Sequence, residues 1–267
     1  MSRMNSTNNW GLSEYIVAAS ATQGNYATIQ SAINAINASV SKSGNIHIHP
    51  GSYTENLTIP SGTFINLVAA SDEAIFTGLV ALNGNVTSTG SSFFSFSNFQ
   101  ILGTVSATGG GQLALYGTQV LSSSGAAVTV SSTGLDAKFC YIQNGSGVAL
   151  QNTNVGSTLQ GCLFSGNINL VGSGTPIFND CTFTTGIISA SGASSSRFIF
   201  CDLTNSAANW NITTGCTLQA VNCIANSSNG SGFFVTGTGT FNHANVALTG
   251  TATSIDPGLT SNTYPVV

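Results

Sequence analysis

Phe96-Ser-Asn-Phe99-Gln-Ile101 opens the run that decides the fold, because its pattern returns seven more times before residue 247. The further copies are Leu115-Tyr-Gly-Thr118-Gln-Val120, Ala137-Lys-Phe-Cys140-Tyr-Ile142, Leu159-Gln-Gly-Cys162-Leu-Phe164, Phe178-Asn-Asp-Cys181-Thr-Phe183, Phe198-Ile-Phe-Cys201-Asp-Leu203, Ala220-Val-Asn-Cys223-Ile-Ala225 and Phe241-Asn-His-Ala244-Asn-Val246. Each reads apolar, two residues, a small or thiol residue, one residue, apolar. The central residues, from 99 to 244, are separated by 19, 22, 22, 19, 20, 22 and 21 residues. A period near 21 this regular marks a solenoid.

The unit is too short, and too rich in Gly, Ser, Thr and Asn, for a helical repeat. Each copy carries two brief alternating runs, which read as short strands stacked coil upon coil. The residue before the central one is Asn98, Gly117, Gly161, Asp180 or Asn222 in five of the eight copies. Those types tolerate the left-handed backbone of a sharp bend. Parallel strands wound this way stack Phe99, Thr118, Cys140, Cys162, Cys181, Cys201, Cys223 and Ala244 into one interior column at the interstrand spacing of roughly 4.8 Å. The expected fold is all-β: a right-handed, single-stranded parallel β-helix of about 21 residues per coil with an N-terminal capping helix.

Of 267 residues only 4% are charged, against a usual ~25%, while 42% are hydrophobic. The surface must therefore be hydroxyl and amide. Four basic residues and a net charge of −4 leave no footprint for nucleic acid, and no run is long enough to insert in a membrane. Five of the six cysteines share the column and read as free, buried thiols, with Cys216 apart. The N-terminus, Met1 to Trp10, has no apolar core and so carries no Sec signal.

The sequence divides into a polar segment over 1–25 holding a short strand at Tyr15-Ile-Val17, a β-helix over 26–246, and a C-terminal tail over 247–267. Ile29, Ala32, Ile33 and Ile36 make one apolar helical face within 26–40, suited to covering the open end of the solenoid. The tail offers Ile255, Leu259 and Tyr264 as a plug for the other end; otherwise a second subunit covers it.

The run Tyr26-Ala-Thr-Ile-Gln-Ser-Ala-Ile-Asn-Ala-Ile36, followed by Ile46-His-Ile-His-Pro-Gly-Ser-Tyr-Thr-Glu-Asn-Leu-Thr-Ile59, resembles the N-terminal signature of the pectin-lyase-like superfamily. It is most similar to that of pectin methylesterases, and the chain as a whole also resembles phage tail-spike and fibre β-helix proteins. The first resemblance implies a nucleophilic Asp in a Gly-Thr-Val-Asp-Phe segment, a second Asp after Gln one coil earlier, and a substrate-binding Arg. Here Asn169 fills the first position, in Gly166-Asn-Ile-Asn169-Leu, and Asn144 follows Gln143 at the second. An amide is neither nucleophile nor base, so the agents of ester hydrolysis are replaced. The arginines are Arg3 and Arg197, and Arg197 lies outside the family motif.

Glycoside hydrolysis needs two carboxylates roughly 5 to 9.5 Å apart. Asp180 and Asp202, on neighbouring coils, are the only catalytic candidates of that kind, although Asp180 also fits as a bend residue and Asp202 as a solvent-facing one. Asp72-Glu73 reads as a surface turn. His47 and His49 share one face of a strand but lack a third ligand, so neither a metal nor any cofactor is expected. Glu55 reads as a local hydrogen-bonding residue of the signature. Sugars bind exposed rings, and Tyr116, Tyr141 and Trp210 lie off the interior pattern, which makes them the candidate carbohydrate-binding residues.

The expected function is a non-catalytic structural or adhesive β-helix protein of a virion, tail fibre or surface appendage, with a polysaccharide or glycan as its ligand. The alternative is a polysaccharide-active enzyme, pectinesterase-like or a glycoside hydrolase, with a divergent site. The neutral surface suits self-association, and the fibre resemblance implies a homo-oligomer, favouring a trimer, at a virion or cell surface.

Overall fold

The structure, a computed structural model, describes residues 13–18, 25–70, 79–153, 156–203, 210–227, 233–250 and 254–263. Its strands are short because Gly, Asn and Ser interrupt the alternation every few residues, and each pairs in parallel with its counterpart on the next coil. Among the described residues, one sheet holds twelve strands, from Ser13–Val17 to Thr260–Thr263. The second sheet has two legs, one through Val80–Leu82 and Phe99–Ile101, the other through Val86–Ser88 and Val105–Ala107. The long strands Tyr141–Thr153 and Leu163–Val171 run through both legs and join them. The architecture is a parallel β-solenoid.

The bend between the sheets is built as the repeat implies. Asn98, Gly117, Phe139, Gly161, Asp180, Phe200, Asn222 and Asn245 all have φ between 50 and 63°. At Gly161 the conformation and the space agree, since a Cβ would sit 2.8 Å from the ring of Phe139 on the coil below.

From Phe99 to Cys223 the residue after each bend is buried, and from Thr118 to Cys223 its chemistry is specific. The Thr118 hydroxyl donates to the carbonyls of Tyr116, at 3.1 Å, and of Phe96 one coil below, at 3.2 Å. The Cys140 thiol makes the same two contacts, to Lys138 and Leu115, and Cys162, Cys181, Cys201 and Cys223 repeat them within 3.5 Å. The column thus selects a small side chain that carries a donor. All six cysteines are free and buried. Sharing with the neighbouring thiols first, and burial second, hold the thiols of Cys140, Cys181 and Cys223 far above their ordinary range, so they stay protonated.

The last copy is displaced by two residues from the sequence pattern. Ala220 pairs with His243, not Phe241, and the bend falls at Asn245, so Val246 rather than Ala244 follows the bend. Phe241 pairs with Leu218 instead and stays fully buried. The pattern's setting would put the left-handed bend on His243, whereas Asn245, a residue type that tolerates it, takes the bend instead.

Inside, Phe178 and Phe198 stack at 4.6 Å, Phe164 and Phe183 at 5.2 Å, and Trp210 lies 5.5 Å from Phe241. At the N-terminal end the helix Ile29–Ala38 buries Ile29, Ala32, Ile33 and Ile36. The signature residues fasten it. Glu55 accepts the amides of Ile29 and Gln30 at 2.8 and 2.9 Å, and the Gln30 side chain bonds both backbone groups of Thr58. The Glu55 carboxylate sits at the positive end of the helix, where a negative charge is favoured. Its hydrogen bonds therefore cross 25 and 26 residues, not a local turn.

The solenoid extends beyond the 26–246 range read from the sequence. Ser13–Val17 pairs with Ser43–Ile48, and Ala247–Gly250, Ser254–Ile255 and Thr260–Thr263 continue both sheets. Leu259 and Ile255 pack on the core as the plug reading had them; Tyr264 and the Asp72-Glu73 pair lie outside the described residues.

Because the column needs a small donor, Cys162→Thr should leave stability within about 1 kcal/mol of the parent. Cys181→Asp should lower it by several kcal/mol, limited by protonation of the buried carboxyl. Denaturant melts check both, and thiol titration in denaturant without reductant should count six free thiols.

Candidate functional site

The second leg of the second sheet alternates strictly. Val128, Leu150, Ile168, Ile188 and Trp210 point inward, and Thr129, Gln151, Asn169, Ser189 and Asn211 form the outward row, each paired with the next. Asn169 Nδ2 donates to Gln151 Oε1 at 3.1 Å, and Gln151 Nε2 in turn donates to the Thr153 hydroxyl. No carboxylate stands in this row.

The two positions that the resemblance implied, Asn144 and Asn169, are not paired: Asn169 lies beside Gln151. The strand Tyr141–Thr153 shifts register twice between Gln143 and Leu150, which places Gln151 next to Asn169 and Gln143 next to Ser165. The inserted residues turn the corner. Asn144 is 5% exposed and donates its amide to the Gly125 carbonyl. Gly166, at φ 126°, passes so close that a Cβ would lie 2.6 Å from the Asn144 carbonyl oxygen.

Along this corner runs a groove of about 850 Å³. Asn83, Asn85, Leu102, Ser122, Gln143 and Asn144 contribute to its walls, and every lining residue is Asn, Gln, Ser, Gly or Leu. Its polar groups are held in place: Asn83 donates to the Ser52 hydroxyl at 2.6 Å, and Asn85 Oδ1 accepts from the amide and hydroxyl of Thr104. Amides and hydroxyls both donate and accept, but none of them ionises. The arrangement can hold a polyhydroxylated ligand; it offers no general acid or base.

The other candidates separate. Asp180 is an exposed bend residue at φ 53°, and Asp202 faces outward beside Thr182. Neither borders the groove. Tyr116 ends the strand Gly111–Tyr116 of the first sheet, whereas Tyr141 begins a strand of the second, so the bend after Tyr116 divides them and they share no face. Trp210 corrects the reading outright: it is 1% exposed, packed between Ile188 and Val235 and among Phe198, Phe234 and Phe241. Arg197 sits on the first sheet between Ile177 and Gln219. His47 contacts the Glu14 carboxylate at 2.5 Å, and among the described residues no group of three His, Cys, Asp or Glu side chains could hold a metal.

Tyr116 has company that the pattern did not disclose. Its hydroxyl donates to Asp136 Oδ2 at 3.0 Å, Lys138 Nζ lies 5.8 Å from its ring centroid, and the half-exposed Phe64 and Phe93 stand across a shallow groove from it. A signal for them existed. Ile65 and Leu67 are inward, so parity puts Phe64 outward, and Phe94 does the same for Phe93.

Comparison with family models and with curated proteins by sequence finds no match. Comparison of structures does. The pectin methylesterase of Aspergillus niger in its deglycosylated form superposes with a TM-score of 0.55 at 14% identity, over 95% of this chain and 91% of that one. The fold is that of the pectin methylesterases. Carrot pectin methylesterase gives 0.54 at 13% identity, over 94% and 88% of the two chains. A pectin methylesterase in complex with hexasaccharide VII gives 0.51 at 13%, over 93% and 92%. Identities this low establish shared architecture, not shared chemistry.

Burial, and then the hydrogen bond and charge of Asp136, raise the Tyr116 phenol above its ordinary pKa. Asp136→Asn removes the negative charge beside the phenolate, so the alkaline tyrosinate transition assigned to Tyr116 should move to lower pH, as read by ultraviolet absorbance with Tyr116→Phe as the reference.

Proposed function

We propose that this protein is a non-catalytic structural or adhesive β-helix that binds uncharged carbohydrate. The observation that carries the reading is the corner groove: its 850 Å³ is ligand-sized, within the ~300–1,000 Å³ of typical sites, and it is lined without a single ionisable group. A sugar presents hydroxyls that need paired donors and acceptors, which the amides of Asn83, Asn85 and Gln143 supply. The hexasaccharide complex of a similarly folded pectin methylesterase supports saccharide binding on such a scaffold. Hydrolysis would need a carboxylate nucleophile or an acid and base; Gln151 and Asn169 are amides tied to each other.

A place on a virion, tail fibre or surface appendage belongs to the same proposal. It is supported by the solenoid shape and by a surface with 4% charged residues, which lacks the repulsion that keeps copies apart. Residues 260–263 are exposed, and among the described residues no strand pairs with their outer edge, a geometry that favours association of copies.

In affinity electrophoresis through gels of neutral polysaccharide, migration should be retarded, and Gln143→Ala should weaken that retardation severalfold. Methanol release from methylated pectin should not exceed buffer; release abolished by Asn169→Ala would restore the esterase reading. Light scattering at micromolar concentration should report an oligomer, and a monomer would remove the assembly part.

A further inference from the structure

We infer that the outward face of the first sheet carries a separate saccharide site, a groove between Phe64 and Phe93 on one side and Tyr116 on the other, which takes a single uncharged sugar ring. The inference rests on the carbohydrate reading above but places binding on a different sheet from the corner groove.

The groove follows from three outward rows. Phe64, Phe93 and Gln112 are successive partners in the first row, and Asn66, Ser95 and Ala114 in the middle one. Tyr116 stands in the third. Phe64 and Phe93 are 44% and 48% exposed, with rings 6.4 Å apart and inclined by 28°. Two large aromatic rings left in water at adjacent rungs form a platform for the C–H face of a pyranose. The floor drops because the Ala114 methyl is too short to fill the space that Asn66 and Ser95 occupy below, leaving a cavity of about 170 Å³. That is under the ~300 Å³ of sites enclosing drug-sized ligands, so one ring fits and a chain would continue outside it.

The polar groups at the floor are directed. Ser95 Oγ donates to Asn66 Oδ1, Asn66 Nδ2 to Asn45 Oδ1, and Asn45 Nδ2 to Glu14 Oε1, each at 2.9 Å. The ladder runs downward to a carboxylate, so at its upper end the Ser95 oxygen is left as an acceptor facing the gap at Ala114. The rung above Ala114 is Asp136. Its Oδ2 accepts from the Tyr116 hydroxyl and so fixes the orientation of that wall of the groove. Aromatic walls, with the Ser95 oxygen on the floor and the Gln112 amide at the rim, match a ring with apolar faces and hydroxyl edges. The charge decides the class: Asp136 and the Lys138 ammonium 3.6 Å from it balance, leaving no cation for a uronate.

The test is calorimetric titration of the full chain with cellohexaose, mannohexaose, galactohexaose and hexagalacturonate. At least one neutral hexamer should bind and hexagalacturonate should not. Phe64→Ala with Phe93→Ala should weaken binding at least about tenfold, as expected for loss of two stacking rings. Ala114→Leu, which removes no contact and fills the floor, should do the same, and guards against misfolding of the double variant. If the neutral hexamer binds but only Gln143→Ala weakens it, this site falls and the carbohydrate reading stands. If no neutral hexamer binds, both fall. Binding of hexagalacturonate alone would overturn the assignment of an uncharged sugar.

Discussion

The structure depends on one repeated step: a residue held in left-handed backbone, followed at Thr118 and the five column cysteines by a small buried side chain that donates to two carbonyls. The first turns the chain between sheets; the second ties the turn to the coil below. Because the contacts of Thr118 are those of each column cysteine, the cysteines owe their place to size and to the S–H donor, not to redox chemistry. The step is strong enough to hold Phe139 and Phe200 in left-handed backbone, at 72% and 59% exposure, although such strain costs on the order of 1–3 kcal/mol per residue. The stacked coils over-determine those two positions.

The same step explains what could be read from the sequence. A period set by one donor column and one bend residue is visible without coordinates, as are the apolar face of the capping helix and the first strand at Tyr15. The signature shared with pectin methylesterases also has a physical meaning, since Glu55 and Gln30 close the helix onto the first coils.

What was not legible follows from features that lack a period. The double register shift after Gln143 moved Gln151, not Asn144, beside Asn169, because a bulge adds residues without changing the flanking pattern. The last copy slid by two residues because the left-handed bend falls on Asn245 and not on His243, a choice that a pattern of apolar and small positions does not weigh. Trp210 was misplaced because the motif covers one bend per coil and says nothing of the second leg, where Trp210 continues the inward row of Ile188. Tyr116 and Tyr141 were joined because sequence spacing cannot show that a bend separates them.

The acidic residues bear most directly on function, because a chain with eight of them can spare few for structure alone. Among those described, Glu14 ends the amide ladder, Glu55 closes the helix, and Asp136 receives Tyr116. Asp180 occupies a bend, and Asp256 accepts the amide of Gly258 in a turn. Glu14, Glu55, Asp136 and Asp256 each satisfy a named backbone or side-chain group, and neither these four nor Asp180 lines the corner groove or stands in the outward row of Asn169. An enzyme of this architecture would have to hold two acids a few ångströms apart in a cleft, at a cost in repulsion and desolvation that only function would maintain. Here the available carboxylates are dispersed over separate elements and the grooves are left to amides, hydroxyls and rings.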